Sequence, residues 1–318
     1  MEDHKMMNWQ RAAFAGAMIL AAGSVQAETR LTYKSAKTGT SYYQMGVELS
    51  EAVKSATEGD ITMTVEESQG SVQNVMEVRA RGGDYVFTAP PSLVSAAEAG
   101  TGPFEGKGDA KFSQIRALFP IPSLTMHFVL AGSDGPTALE ALEGKKILLG
   151  KGSFGATEGQ KYLDLFGLTD KVSIADAELS NAGDALKNGQ IDGFVTAGSY
   201  PAPNVVEAAA SQGVRILSMS DEQIDETGQA KVIIPAGTYP GQDADIATTG
   251  LPVVAFATTE MQDDTAYALT RAFWTQRDRM AQTAPWWGGV STDQVADLGT
   301  LHPGAARYYD EAGVATAE

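Results

Sequence analysis

The chain has no cysteine and only three histidines in 318 residues. Without cysteine there is no disulfide framework, no thiol nucleophile and no thiolate metal ligand. Two histidines, His127 and His302, lie beyond residue 27, and neither belongs to a His-x-x-x-His pair, so a zinc centre lacks its ligands. No Gly-x-Ser-x-Gly elbow precedes a helix. No cofactor and no metal are expected. Basic residues are also scarce: 23 Lys and Arg face 40 Asp and Glu, for a formal charge of −17. That surplus repels phosphate backbones and anionic lipid at long range, so nucleic acid is excluded as a partner.

What is present begins at the N-terminus. Lys5 and Arg11 lead into an apolar run from Ala12 to Val25, too short to span a hydrocarbon core. Val25-Gln26-Ala27 offers small residues at the −3 and −1 positions of a signal-peptidase site. The expectation is residues 1–27 as a signal peptide, cleavage after Ala27 and a periplasmic mature protein. No later segment is long and apolar enough to cross a bilayer.

From Leu31 to about Thr259, short β-type runs alternate with helical patterns, which predicts α/β layers. Two of the strands, His127–Ala131 and Val253–Thr258, read as crossings. The first ends at the turn-rich Gly132-Ser133-Asp134-Gly135-Pro136, and the second follows the Gly- and Pro-containing stretch Ile234 to Pro252. If the chain leaves one lobe at the first and returns at the second, residues 28–131 plus 253–318 form lobe I and 132–252 an inserted lobe II. The longest helical pattern, Glu260 to Gln282, carries apolar residues at core-packing spacing, and Trp286-Trp287 reads as a plug after it.

Three strand-to-helix loops share a chemical style. They are Lys37-Thr38-Gly39-Thr40-Ser41-Tyr42-Tyr43, Ser68-Gln69-Gly70-Ser71 and Lys151-Gly152-Ser153-Phe154-Gly155. Loops of this kind direct unpaired N–H groups and a positive helix end into the crevice at the carboxyl edge of a sheet. Gly with Ser or Thr before a helix is equally an ordinary capping and turn signal. Taken together the loops point to a small anion bearing carboxylates, with Lys37 and Lys151 as possible full charges. The candidate ligand-binding residues are Lys37, Thr38, Thr40, Ser41, Tyr42, Gln69, Ser71, Ser153, Phe154 and Gly155, with Tyr42 or Tyr43 as a pocket wall.

The chain resembles the TAXI family, the solute-binding subunits of one class of TRAP transporter. The resemblance rests on Gly100-Thr101-Gly102-Pro103-Phe104-Glu105-Gly106, Ile234-Pro235-Ala236-Gly237-Thr238-Tyr239-Pro240 and Leu301-His302-Pro303-Gly304, together with Gly70-Ser71-Val72-Gln73-Asn74 and Gly198-Ser199-Tyr200-Pro201. It implies a bilobed type II periplasmic-binding-protein fold and transport binding of a small organic anion, often glutamate or a related dicarboxylate. The bound solute would pass to the membrane subunits of a TRAP permease. Carried over residue by residue, it points to Tyr42, Ser71 and Ser153, and adds Tyr200 and Pro201 to the cleft. The family's first loop is richer in glycine, its third reads Gly-Ser-Gly-Thr, and a Gln-Ser-Asp-like segment stands where this chain has Ala89-Pro90-Pro91. Those departures shift the expected ligand toward a dicarboxylate without an amino group, such as 2-oxoglutarate.

Two other readings are open. An enzyme on the same fold would draw an acid/base pair from Asp84, Glu158 and His127, although no sequence setting forces two of their pKa values apart. A sensor would use the same binding chemistry to present its ligand to a membrane receptor.

Overall fold

Short runs of β-branched and aromatic residues, each closed by a Gly-, Ser- or Pro-containing loop, become strands feeding helices. The computed structural model describes residues 28–151 and 153–317; the signal-peptide reading falls on residues outside that range. The strands are β1 (Thr29–Lys34), β2 (Ile61–Glu66), β3 (Tyr85–Ala89), β4 (Ile115–Ala131), β5 (Lys146–Leu148), β6 (Ser173–Ala175), β7 (Gly193–Gly198), β8 (Val214–Ile216), β9 (Ala230–Ile234) and β10 (Ile246–Thr258). The α-helices are α1 (Ser41–Ala56), α2 (Ser71–Glu77), α3 (Pro91–Ala99), α4 (Phe154–Leu165), α5 (Ala182–Lys187), α6 (Pro203–Gln212), α7 (Asp221–Thr227), α8 (Asp263–Thr283) and α9 (Pro303–Glu311).

The strands form one curled sheet in the order β2-β1-β3-β10-β4-β7-β5-β6, with β8 on β4 and β9 on β10. β1, β2 and β3 run parallel in one half, and β5, β6 and β7 run parallel in the other. Between them β4 and β10 pair antiparallel from Thr258↔Ile115 to Gly250↔Thr125. The Thr258 end of β10 pairs β3, whereas its Ile246 end pairs β9, and the far end of β4 pairs β7 and β8. Each long strand therefore belongs to both halves.

The sequence predicts two separate strands, Ile115–Phe119 and His127–Ala131, where one 17-residue strand runs through Pro120 and Pro122. It also starts the returning strand at Val253, seven residues late. Proline removes a ladder donor, which argues for a break. Here a register shift between Leu251 and Val253 places Pro252 and Pro122 in one irregularity of the ladder, while Pro120 stays in register opposite Val254.

The larger apolar cluster fills the first half and extends into the second. Phe119 and Phe273 stack at 4.3 Å between centroids, and Trp287 meets Phe273 edge-on at 6.0 Å. A smaller cluster, including Phe194, Val205, Ile216 and Ile234, lies between β7 and the helices of the second half. On α8 the buried residues Ala266, Leu269, Thr270, Ala272, Phe273 and Met280 make the expected helical stripe.

Candidate functional site

The first loop joins β1 to α1. Thr40 caps the helix: its Oγ1 accepts from the Tyr43 N–H at 3.3 Å and donates to the Lys37 carbonyl at 2.7 Å. Behind the loop, the Ser35 hydroxyl donates to the Tyr42 carbonyl at 2.6 Å, and the Ser68 hydroxyl to the Ser35 carbonyl at 2.9 Å. Buried Asn74, on α2, sends its Nδ2 to the carbonyls of Ser35 (2.7 Å) and Thr88 (2.9 Å). One amide thus ties together the ends of β1 and β3, the strands that present the site. Tyr42 is buried with its ring in the cavity wall, and its hydroxyl donates to the Pro122 carbonyl at 2.7 Å. Burial raises the phenol pKa well above its ordinary value, so the group stays a neutral donor.

The third loop repeats this design in the other half of the molecule. Ser153 caps α4, accepting from the Ala156 N–H at 3.0 Å and donating to the Gly150 carbonyl at 2.9 Å. Two glycines set how tightly it packs. A Cβ on Gly155 would stand 3.0 Å from the Ala197 Cβ, so α4 approaches β7 only because that atom is missing. Gly150 has φ +84°, and a Cβ there would meet Leu179 at 2.8 Å. The loop carrying Glu178 and Leu179 therefore lies directly on the loop carrying Ser153, and the Lys151 N–H donates to the Ala177 carbonyl at 3.3 Å.

Together these loops enclose a cavity of about 210 Å³ between the two halves. Lys37, Thr38, Thr40, Tyr42, Gln69 and Ser71 line it from one side, and Ser153 and Gly155 from the other. The first turns of α1 and α4 point into it, each bringing unpaired N–H groups and the positive end of a helix dipole.

Sequence reasoning missed the acidic side of this wall. Glu178, Asp184 and Glu207 all line it, as does Asn204, whose Nδ2 donates to the Thr196 hydroxyl at 3.2 Å. They come from the β6–α5 connection, α5 and α6, so no local motif gathers them. Lys37, expected as a free cation, forms an ion pair with Glu178 across the cleft. Lys151 also lines the cavity and pairs with Asp176 at 3.1 Å, both side chains being largely exposed.

Three expected residues are placed differently. The Ser41 side chain is buried beside Gly198 and is not part of the wall. Tyr200 and Pro201, which follow the end of β7, line a separate cavity of about 520 Å³ with Pro122, Pro235 and Trp286. The Phe154 side chain lies outside the described residues, as does Gly152. Asp84, Glu158 and His127, the acid/base candidates, are all absent from the wall. His127 is buried and both its ring nitrogens are engaged, with Nδ1 3.0 Å from the Thr125 carbonyl and Nε2 2.7 Å from the Tyr239 hydroxyl.

Comparison with known proteins gives the geometry a context. The pattern described as the NMT1-like family matches residues 34–313. Among solved structures, the periplasmic binding protein BugD is similar at a TM-score of 0.55 and 14% identity, with 90% of this chain and 98% of that one covered. A protein of Bordetella bronchiseptica RB50 is similar at a TM-score of 0.50 and 16% identity, covering 90% and 81%. A TRAP periplasmic solute-binding protein of Actinobacillus succinogenes, with bound L-galactonate, aligns at 0.43 and 15% over 91% and 88%. The fold is that of the bilobed periplasmic binding proteins.

Proposed function

The chain belongs to the NMT1-like family, and we propose that it is the extracytoplasmic solute-binding subunit of a TRAP-type secondary transporter, of the TAXI kind. It binds a small organic anion between its two lobes and delivers it to the membrane subunits of a permease. In this reading residues 28–131 with 253–318 make one lobe and 132–252 the other, with β4 and β10 shared between them, and a leader ending at Ala27 directs the protein to the periplasm. One observation carries this reading: a cavity between the halves, faced by the N-termini of α1 and α4 from opposite sides. Helix ends of this kind hold carboxylates through backbone N–H groups without a counter-ion. Gripping the ligand from both sides also favours the closed form over the open one, which makes closure ligand-dependent.

The ligand is a carboxylate of the dicarboxylate or glutamate class. Of 2-oxoglutarate and glutamate, the carboxylates of Asp184, Glu207 and Glu178 in the wall favour the one whose ammonium group offsets a charge. The reading is tested by thermal unfolding of ligand-stripped protein against organic acids and amino acids. A solute at one hundred times its Kd adds about 2.7 kcal/mol of stability and raises the midpoint. If the whole panel leaves the midpoint unmoved, the reading fails.

A further inference from the structure

The cavity has a cation that its ligand cannot freely use. Lys37 lies in the β1–α1 loop with its side chain only 18% exposed, and its ammonium is held by Glu178 from the opposite lobe. The backbone at Glu178 is fixed by its neighbours. Glu178 stands immediately before the short helical turn Leu179–Asn181, whose first residue packs on Gly150, and the Asn181 N–H donates to the Glu178 carbonyl at 3.0 Å. The remaining charges of the wall deepen the deficit. Lys151, also in the wall, is paired with Asp176, while among the described residues Asp184 and Glu207 form no ion pair. With two lysines against three carboxylates, the lining is net negative before any ligand enters.

We propose that Glu178 is a specificity-determining residue: by holding Lys37 across the cleft, it sets the net charge of the solute the cavity accepts at no more than one negative. This rests on the carboxylate-binding reading above. One carboxylate is met by the neutral backbone N–H donors at the start of α1 and α4, as a helix N-terminus permits. A second full negative charge finds both lysines of the described wall already paired, and it also meets the carboxylates of the second lobe. It is therefore tolerated only with a compensating ammonium group. Discrimination comes as much from the repulsive wall as from the attractive donors.

The experiment uses pairs of solutes that differ only by carboxylate against carboxamide: succinate and succinamate, L-glutamate and L-glutamine, L-aspartate and L-asparagine. Calorimetric titration of the mature protein and of Glu178→Gln gives the affinity ratio within each pair. The glutamine variant releases Lys37 with little change in shape, and the ratio should move at least tenfold toward the more negative member. The double variant Lys37→Met/Glu178→Gln should lose that gain, and Glu178→Asp should keep the original ratio. A purely structural role for Glu178 would weaken both members of a pair equally and leave the ratio where it was; that result overturns the inference. Wild-type protein that binds neither member of any pair overturns the carboxylate reading itself, and the inference with it.

Discussion

The Tyr239 hydroxyl sits 2.7 Å from Nε2 of His127 and accepts the Ala202 N–H at 2.8 Å. A neutral imidazole satisfies this arrangement: Nδ1–H donates to the Thr125 carbonyl, Nε2 accepts from the phenol, and the phenol oxygen accepts from the backbone. It joins β4, the segment after β9 and the start of α6, so the histidine serves the packing of the second half.

Protonation of His127 should destabilise the fold. Complete burial lowers the pKa from 6.5 to about 4, with the bond to the Thr125 carbonyl only partly opposing the shift. The unfolded chain therefore binds the proton first as pH falls. Stability from this group is fully present above pH 6.5 and drains away between 6.5 and about 4, a loss of about 3 kcal/mol. Urea unfolding of wild type and His127→Gln across pH 7.5 to 4 isolates the term as a difference in slope. Identical slopes would mean that the ring is solvated in the native protein.

Tyr42→Phe separates wall from ligand contact. Its hydroxyl is engaged by the Pro122 carbonyl, so removal should cost about 1–3 kcal/mol of stability by leaving that buried acceptor unpaired. Affinity for the carboxylate should change little, because the aromatic ring remains. A loss of tenfold or more in affinity, or about 1.4 kcal/mol, would show the phenol reaching the solute instead.

Adding one methyl at Gly155 forces α4 away from Ala197, which would otherwise lie 3.0 Å from the new atom. Gly155→Ala should destabilise by about 1–3 kcal/mol through overpacking. It should weaken ligand binding as well, since the N–H groups of that helix end move with it. Unchanged affinity in a destabilised variant would separate α4 from the ligand.

Glu48 on α1 accepts both indole N–H groups of the tryptophan pair, from Trp286 at 3.0 Å and Trp287 at 2.6 Å. Glu48→Ala leaves the buried Trp287 donor unpaired at a cost of about 1–3 kcal/mol, whereas Glu48→Gln keeps an acceptor and should recover much of it. Chemical unfolding followed by tryptophan emission reads both variants. Equal stability of the alanine and glutamine variants would assign the effect to packing alone.

Much of the fold was legible because its signals are local. β2, Ile61–Glu66, is one of the alternating β-type runs, and two of the loops singled out from the sequence supply Thr40 and Ser153 as the caps of α1 and α4. Trp287, read as a plug, is buried against Phe273. Prolines misled the reading of β4 and β10, since a lone chain gives no hint that two irregular strands will share a bulge. β9 and α9 also escaped. β9 pairs only with the unanticipated end of β10, and α9 begins at a proline after His302, whose Nδ1 caps it by accepting the Gly304 N–H at 3.2 Å.

By itself the sequence determined the capped loops, the α/β alternation and the lack of any thiol, because each depends on residue types or on patterns at short separation. Only the tertiary structure decided which charges share the cavity. Glu178 and Lys37 are 141 residues apart along the chain, and nothing local in either segment points to the other. Their meeting depends on how β4 and β10 turn one half toward the other, and that long-range geometry converts an expected cationic site into one whose nearest cation is already engaged.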